Sequence, residues 1–412
     1  MTNMKYVIIG ASAAGMSATR AIRKYDPDSI IRIISDESTP PYSRIFLPKL
    51  ITGEVNLADI LMRTEEQIQR LWIKLIKCVA VNSIHSEIKM LQMNNGARIE
   101  YDKLLIAAGA SPKLPQIKGV ALPGVFGFRN LQDAGEIRTG AEHCQRVVII
   151  GGGLVSLKAA EALNHFDLDV HIVVRSPQLL SQMLDQESAQ LVLQKVLTQG
   201  ITVHFGLEVV AISGKNRVEG VVLDNGRKIS CQMVIVGKGV QSNLTFLKGS
   251  GLKTDKGILV DPHQHTNRAD IYAAGDIAQT PDFFKAGHSI KALWPNAVQQ
   301  GKIAGMNMAG KEIVNPDEIS ANIVNLFGLN LASCGLIKKM NAADDEIVFQ
   351  NANVFRKLVF HNNVVVGAVL LGEVHHIGIL RALILIKKNV ADKKNLLIDR
   401  SFKFASLMER SL

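Results

Sequence analysis

The chain is poor in cysteine. Its 412 residues include four, Cys78, Cys144, Cys231 and Cys334, and no two stand in a C-x-x-C spacing. The lack of that spacing excludes a thioredoxin-like motif and any zinc or iron–sulfur run, so no metal site is expected. Scattered, mostly apolar-flanked cysteines suggest a reducing cytoplasm. No apolar run approaches the roughly 20 residues of a membrane helix. The first strand-like segment begins at Lys5, which leaves no room for a signal peptide, so a cytoplasmic location is expected. Low-complexity segments are also missing.

Acidic residues are outnumbered. Forty-seven Lys and Arg against 37 Asp and Glu give a formal net charge of +10. A basic surface favours acidic partners, whether small electron carriers, anionic lipid or nucleic acid, or it is diffuse and has no special partner. The end of the chain is locally basic: Arg381, Lys387, Lys388, Lys393, Lys394, Arg400, Lys403 and Arg410 outnumber Asp392, Asp399 and Glu409.

What the chain does have is two glycine turns, each placed between a strand-like run and a helix-like run. The first is Gly10-Ala-Ser12-Ala13-Ala14-Gly15, after Lys5–Ile9 and before a helix over Ala13–Tyr25. The second is Gly151-Gly-Gly153-Leu154-Val155-Ser156, after Arg146–Ile150 and before a helix over Leu157–His165. Strand, glycine turn and helix let backbone N–H groups and a helix N-terminus hold a pyrophosphate. Ser12 stands where the first turn would have its middle glycine, which weakens that motif alone. Two such turns mean two dinucleotides, and so a flavoprotein that takes hydride from a nicotinamide.

The strands after each turn carry the specificity signals. Ile30–Ile34 ends in Ser35-Asp36-Glu37, about 20 residues past the glycines, where Asp36 or Glu37 would grip a ribose hydroxyl. Asp169–Val174 ends instead in Arg175, which favours a 2′-phosphate and so NADPH over NADH. No other basic residue stands nearby in the sequence: Pro177–Gln194 contains none.

Further along, Leu191–Leu197 reads as helix. Ile201–Phe205, Val209–Ser213, Val218–Leu223 and Ile229–Val236 read as strands with turns between them. Gly237–Asn243 would return the chain to the first domain. From about Asn315 the pattern changes. Asn322–Phe327, Val354–Phe360 and Val364–Leu371 read as strands, and Ile377–Ile386 as a helix.

Four stretches carry a family resemblance: Pro41-Tyr42-Ser43-Arg44-Ile45-Phe46-Leu47-Pro48-Lys49, Tyr101–Ala110, Ile271-Tyr-Ala-Ala-Gly275-Asp276, and Leu293-Trp294-Pro295 through Gly301. With them the chain resembles the FAD-dependent, NAD(P)H-oxidising branch of the pyridine nucleotide–disulfide oxidoreductases. Within it the chain is most similar to rubredoxin reductases and the reductase part of nitrite reductases, and more distantly to apoptosis-inducing factor. The resemblance covers nearly the whole chain. It implies an α/β fold with two three-layer Rossmann-like dinucleotide-binding domains plus a small α/β C-terminal domain. The FAD domain would be residues 1–112 and 241–314, the NAD(P)H domain 113–240, and the C-terminal domain 315–412.

By the same resemblance Arg44 and Lys49 would face the flavin and its phosphates. Ala108 and Gly109 would end a strand against the flavin, where relatives usually carry Thr in place of Ala108. Gly275 would approach the cofactor, Asp276 would hold ribityl hydroxyls, and Trp294 would shield the flavin or the nicotinamide, or else sit in the core. Gly151, Gly153, Leu154, Val155, Arg175 and Gly239 would line the nicotinamide site. Lys49, Lys158 and Trp294 are the expected catalytic residues.

The chain departs from the family in two places. Disulfide reductases hold their redox cysteine in the segment around Arg44–Lys49, and none stands there, so no thiolate relay is expected. Lys158 occupies a helix position that is glutamate in many relatives and pairs there with the lysine at the position of Lys49. Two ammonium groups close together repel. Either these two do not meet, or they hold something anionic between them.

The expected function is an FAD-containing NAD(P)H oxidoreductase feeding a small acidic electron-carrier protein or a reductase subunit. With no iron–sulfur or sirohaem ligand set in the sequence, a complete nitrite reductase is excluded. Two alternatives stay open: a quinone or dye reductase on anionic membranes, and a redox-sensing scaffold resembling apoptosis-inducing factor. The preferred reading needs no nucleic acid and no transmembrane segment, and a homodimer is compatible with it.

Overall fold

Tyr6 and Ile8 point to one side of the Lys5–Ile9 strand, Val7 and Ile9 to the other, and all four are buried. Side chains alternate across a strand, so a strand buried on both faces lies inside a covered sheet. The computed structural model describes residues 4–316, 318–400, 402, 403 and 405. In it Lys5–Ile9 is the middle strand of five. The order is Ile271–Ala273, Lys103–Ile106, Lys5–Ile9, Ile30–Ile34 and Ile73–Ile76, all parallel.

Two helices, Ala13–Tyr25 and Trp294–Met308, cover the Tyr6/Ile8 face. An antiparallel trio, Val81–His85, Met90–Met93 and Arg98–Glu100, supplies apolar cover to the Val7/Ile9 face, together with Leu247, Ile258 and Val260. The result is three layers. These elements form one compact unit, in which the chain runs to Pro112 and resumes over Val240–Glu318.

The second unit takes Lys113–Gly239 and the chain from Ile319 onward. Its parallel sheet has the order Thr202–Phe205, Asp169–Val174, Arg146–Ile150, Met233–Val236 and Val125–Phe126. A separate antiparallel trio, Val209–Ser213, Gly220–Leu223 and Lys228–Ser230, packs apolar side chains against one face of it.

One expected strand divides in two. Ile229–Val236 is two strands: Lys228–Ser230 closes the antiparallel trio, while Met233–Val236 joins the parallel sheet. The break is at Gln232, whose side-chain oxygen accepts from the N–H groups of Gln145 and Arg146 at 3.0 and 3.1 Å. Ile229–Gln232 alternates apolar and polar residues and Met233–Val236 is apolar throughout, and with no Gly or Pro between them the two read as one strand. Thr202–Phe205 pairs in parallel with Asp169–Val174 and so belongs to the large sheet, apart from the antiparallel trio. The helix expected from Leu157 begins at Leu154, directly after Gly153, and the one expected over Leu191–Leu197 spans Gln186–Thr198.

The C-terminal part is a five-stranded antiparallel sheet with helices Ile377–Leu385 and Lys394–Ile398. Two of its strands, Leu329–Gly335 and Asp344–Gln350, were not legible from sequence. Lys357 ties this sheet to the rest of the unit. Its ammonium is 2.7 Å from Asp185 and 2.9 Å from Glu346. Arg410 and Glu409, part of the basic end, lie outside the described residues. Among the described residues no helix is long and apolar enough to cross a membrane.

Candidate cofactor-binding site

In the first unit the glycine turn is tight because the backbone beside it is close. Gly10 has φ +106, and a Cβ there would stand 2.2 Å from the Ala107 carbonyl oxygen. A Cβ on Gly15 would stand 2.0 Å from the Gly10 carbonyl oxygen. Ser12 is the N-cap of the Ala13–Tyr25 helix, yet its hydroxyl makes no capping bond, and the first turn has no acidic residue. A helix start left uncapped by side chains keeps its donors and its positive dipole end for an anion. The serine in the fingerprint therefore leaves the turn intact.

Residues far apart in sequence meet this turn. A Cβ on Gly275 would lie 3.2 Å from the Ala14 side chain, so the Gly275-Asp276 motif sits against the first helical turn. The Asp276 carbonyl accepts from the Ser242 hydroxyl at 2.8 Å. The Ala108 carbonyl accepts from the Asn243 amide at 2.9 Å, and Asn243 N–H donates to the Gly109 carbonyl at 3.1 Å. Trp294 is the first residue of its helix, followed by Pro295 in the first turn. It is partly buried and packs against the helical side of the core, as Val298 and Ala11 also do.

Glu37 and Arg44, expected at different parts of the dinucleotide, hold each other. The Glu37 carboxylate pairs with the Arg44 guanidinium and also accepts from the Tyr42 hydroxyl at 2.6 Å. Asp36 is exposed beside them. Lys49 stands 3.5 Å from Glu54, both side chains more than half exposed. A cavity of about 550 Å³ runs along the Ala13–Tyr25 helix, lined in part by Met16, Ser17, Arg20, Met62, Arg63 and Val298. Apart from Ala13 and Val298, none of its lining residues was singled out in the sequence.

In the second unit Gly151 has φ +115, and a Cβ there would stand 2.5 Å from the Gly237 carbonyl oxygen. Gly153 caps the Leu154–Asn164 helix with no side-chain bond, and open space surrounds it. Val155, in that first turn, is 48% exposed. The last position of this fingerprint is Ser156, fully buried. The missing glycine is supplied across the sheet: a Cβ on Gly237 would stand 2.0 Å from the Ser156 hydroxyl oxygen.

Arg175 is free to reach outward, its side chain 82% exposed, with its guanidinium 4.0 Å from Glu208. Glu208 also takes the Lys238 ammonium at 2.5 Å, and that bond is the main reason its carboxyl is held below the usual range. Lys238 is thus a second cation near Arg175. Sequence reading missed it because the two are 63 positions apart; its one signal was its place just after a buried strand. Gly239, next along, is exposed with φ +87.

Lys158 is not a bare ammonium. It reaches along its own helix to Glu161 at 2.6 Å, and the other oxygen of Glu161 accepts the Phe327 N–H at 2.6 Å. The repulsion expected of an unpaired lysine at this position is met by a carboxylate one turn away.

The four thiols are unpaired. Burial pushes the Cys231 and Cys334 thiols up to about 12 and also raises Cys144, while Cys78 is exposed.

Two turns, each leading into an uncapped helix start, define a protein built to hold two dinucleotides, and the glycine cradles fit FAD and a nicotinamide nucleotide. The chain belongs to the pyridine nucleotide-disulphide oxidoreductase family, which matches residues 4–301. A rubredoxin NAD+ reductase C-terminal domain matches residues 321–388. The chain is thus an NAD(P)H-dependent oxidoreductase of a family that uses FAD. It is 33% identical over 342 residues to an NADH oxidase of Methanocaldococcus jannaschii, covering 81% of this chain and 76% of that one. It is 29% identical over 337 residues to a rubredoxin-NAD(+) reductase of Pseudomonas putida, covering 81% and 87%. Among solved structures it matches an NAD-dependent persulfide reductase from A. fulgidus with a TM-score of 0.90, at 26% identity over 97% of this chain and 80% of that one.

Proposed function

We propose that this protein oxidises NAD(P)H, holds the electrons on FAD, and delivers them to a small acidic electron-carrier protein of the rubredoxin or ferredoxin kind, or to a partner reductase subunit. The observation that carries the reading is the segment Arg44–Lys49, which contains no cysteine. Without a thiol there, electrons leave for an external acceptor. Bound FAD supplies two-electron acceptance followed by one-electron release.

The residues have distinct tasks. In the stretch assigned to FAD, residues 1–112 and 241–314, Gly10, Ser12, Ala13, Ala14 and Gly15 present N–H groups to the pyrophosphate. Asp36 and Glu37 face the ribose, and Asp276 holds the ribityl chain. In residues 113–240, Gly151 to Val155 take the nicotinamide pyrophosphate. Arg175, supported by Lys238, favours a 2′-phosphate and hence NADPH. Lys49 and Trp294 are assigned to the flavin ring, and Lys158, on the helix that opens from the second glycine turn, to the nicotinamide side. Four unpaired cysteines support a reducing compartment.

The test is acceptor competition. The yellow purified protein, given NADPH or NADH, is assayed with rubredoxin, a [2Fe–2S] ferredoxin, dioxygen and a persulfide. Carrier reduction at least tenfold faster than the others is expected. Preferential persulfide or dioxygen turnover overturns the carrier assignment.

A further inference from the structure

Gln300 sits in the Trp294–Met308 helix, fully buried, at 1% exposure. Its side-chain oxygen accepts the Gly275 N–H at 2.7 Å. Its side-chain nitrogen donates to the Glu318 carboxylate at 2.8 Å. Glu318 is 7% exposed, and its described donors are all neutral: Gln300, Asn315 at 2.8 Å and the Thr280 hydroxyl at 3.5 Å. A buried carboxylate needs a reason to be there.

The reason is direction. An amide side chain has an oxygen end and a nitrogen end and can face either way. A carboxylate accepts only. It forces Gln300 to turn its nitrogen toward Glu318 and therefore its oxygen toward Gly275 N–H. Asn315 shows how strongly the carboxylate commands its neighbours. Asn315 gives Glu318 its nitrogen while its own side-chain oxygen is buried with no hydrogen-bond partner. The opposite orientation of Gln300 would set two donors, its NH2 and the Gly275 N–H, face to face.

We propose that Glu318 and Gln300 are positioning residues for the flavin site, a buried relay that fixes the Gly275-Asp276 strand end through one backbone N–H. This rests on the reading that Gly275-Asp276 holds FAD. Glu318 is also the last residue of its unit before the chain continues into the C-terminal part. The relay therefore anchors the end of the segment on the cofactor site itself.

The relay has a polarity, and polarity can be reversed. Gln300→Glu alone sets two carboxylates against each other and should weaken FAD binding about tenfold, within the range for breaking a buried hydrogen-bonded pair. Gln300→Glu with Glu318→Gln keeps the Gly275 and Asn315 bonds and reverses the one between the two side chains, with the Thr280 hydroxyl turning to accept. Gln at 318 donates to Glu at 300 and accepts from Asn315, while Glu at 300 accepts from Gly275 N–H. Binding within about threefold of wild type is expected, a coupling that independent packing effects would not give. FAD affinity is measured by titrating deflavinated protein, and Gly275 amide exchange is measured in the holoprotein by mass spectrometry. Exchange at Gly275 should rise in the single variant and return in the double. Additive losses in the double variant, or Gly275 exchange unchanged in the single one, overturn the relay while leaving the FAD reading standing. Wild type that takes up no FAD overturns both.

Discussion

A Cβ on Gly301 would stand 2.1 Å from the Ala14 carbonyl oxygen, so the helix that carries Trp294 lies in backbone contact with the helix that opens from the first glycine turn. One turn further on, Gly305 repeats the relation with Ala18, at 2.4 Å from its carbonyl oxygen. Small residues at a spacing of four on both helices let them close to this distance. The pairing also sets the start of the Ala13–Tyr25 helix against the middle of the Trp294–Met308 helix.

Gly301→Ala should push the two helices apart. The Cβ meets backbone, which has no rotamer to yield, so a loss of about 1–3 kcal/mol is expected. Urea unfolding measures it. Gly153→Ala, with open space around it, serves as the control and should cost much less.

The Arg175 and Lys238 cations point to one reading of the ribose. Arg175→Glu should move the ratio of kcat/KM for NADPH over NADH toward NADH by about 10- to 100-fold, the size of a lost charge-assisted bond plus repulsion. Lys238→Ala should move it the same way by less. A ratio unchanged in both variants would show that neither cation reads the 2′ position.

Glu161 joins a helix to a hairpin: it holds Lys158 on one oxygen and Phe327 N–H on the other. Glu161→Ala strands a backbone donor that is half-buried and should cost about 1–3 kcal/mol. Hydrogen exchange should rise first at Phe327 and Gly328. Lys158→Met keeps the Phe327 bond and should leave exchange there unchanged.

The Lys357–Asp185 pair makes stability depend on pH in a defined direction. Burial pushes the Asp185 carboxyl up, but Lys357 and Ser188 more than offset it and hold it below the usual range. Its contribution is therefore complete above the unfolded value of about 3.9 and is lost as pH falls through the lower folded value. Burial likewise lowers Lys357, and Asp185 and Glu346 raise it above its ordinary value. Its contribution is complete below about pH 10 and is lost as pH rises through that raised value. Urea unfolding from pH 2 to 7 should show the acid loss, and Asp185→Asn should flatten it. Lys357→Met, which leaves a buried carboxylate facing Glu346, should cost about 3–5 kcal/mol at pH 7.

Cys78 is the exposed thiol, and it lies outside the flavin segment. Cys78→Ser should leave kcat with a protein carrier unchanged. Iodoacetamide at pH 8 should modify Cys78 readily and leave Cys231 and Cys334 untouched, since burial suppresses their thiolates. Loss of turnover on alkylation would mean that a thiol carries the electrons.

By itself the sequence determined the elements that local chemistry controls. Lys5–Ile9, Ala13–Tyr25, Ile30–Ile34, Arg146–Ile150 and Asp169–Val174 fall where β-branched runs, glycine turns and helix stops place them. The two dinucleotide turns were legible because a strand, a turn and a helix within about 20 residues leave a local pattern. Only tertiary structure decided the rest. It divided Ile229–Val236 between two sheets, because the break is held by the Gln232 side chain reaching Gln145 and Arg146, far away in sequence. It paired Lys158 with Glu161, Arg44 with Glu37 and Arg175 with the Glu208–Lys238 couple. A charge finds its partner through space, and several partners along the chain would have served equally well. It also joined Gly275 to Glu318 through Gln300, because a buried backbone N–H takes whichever acceptor the packing brings within reach.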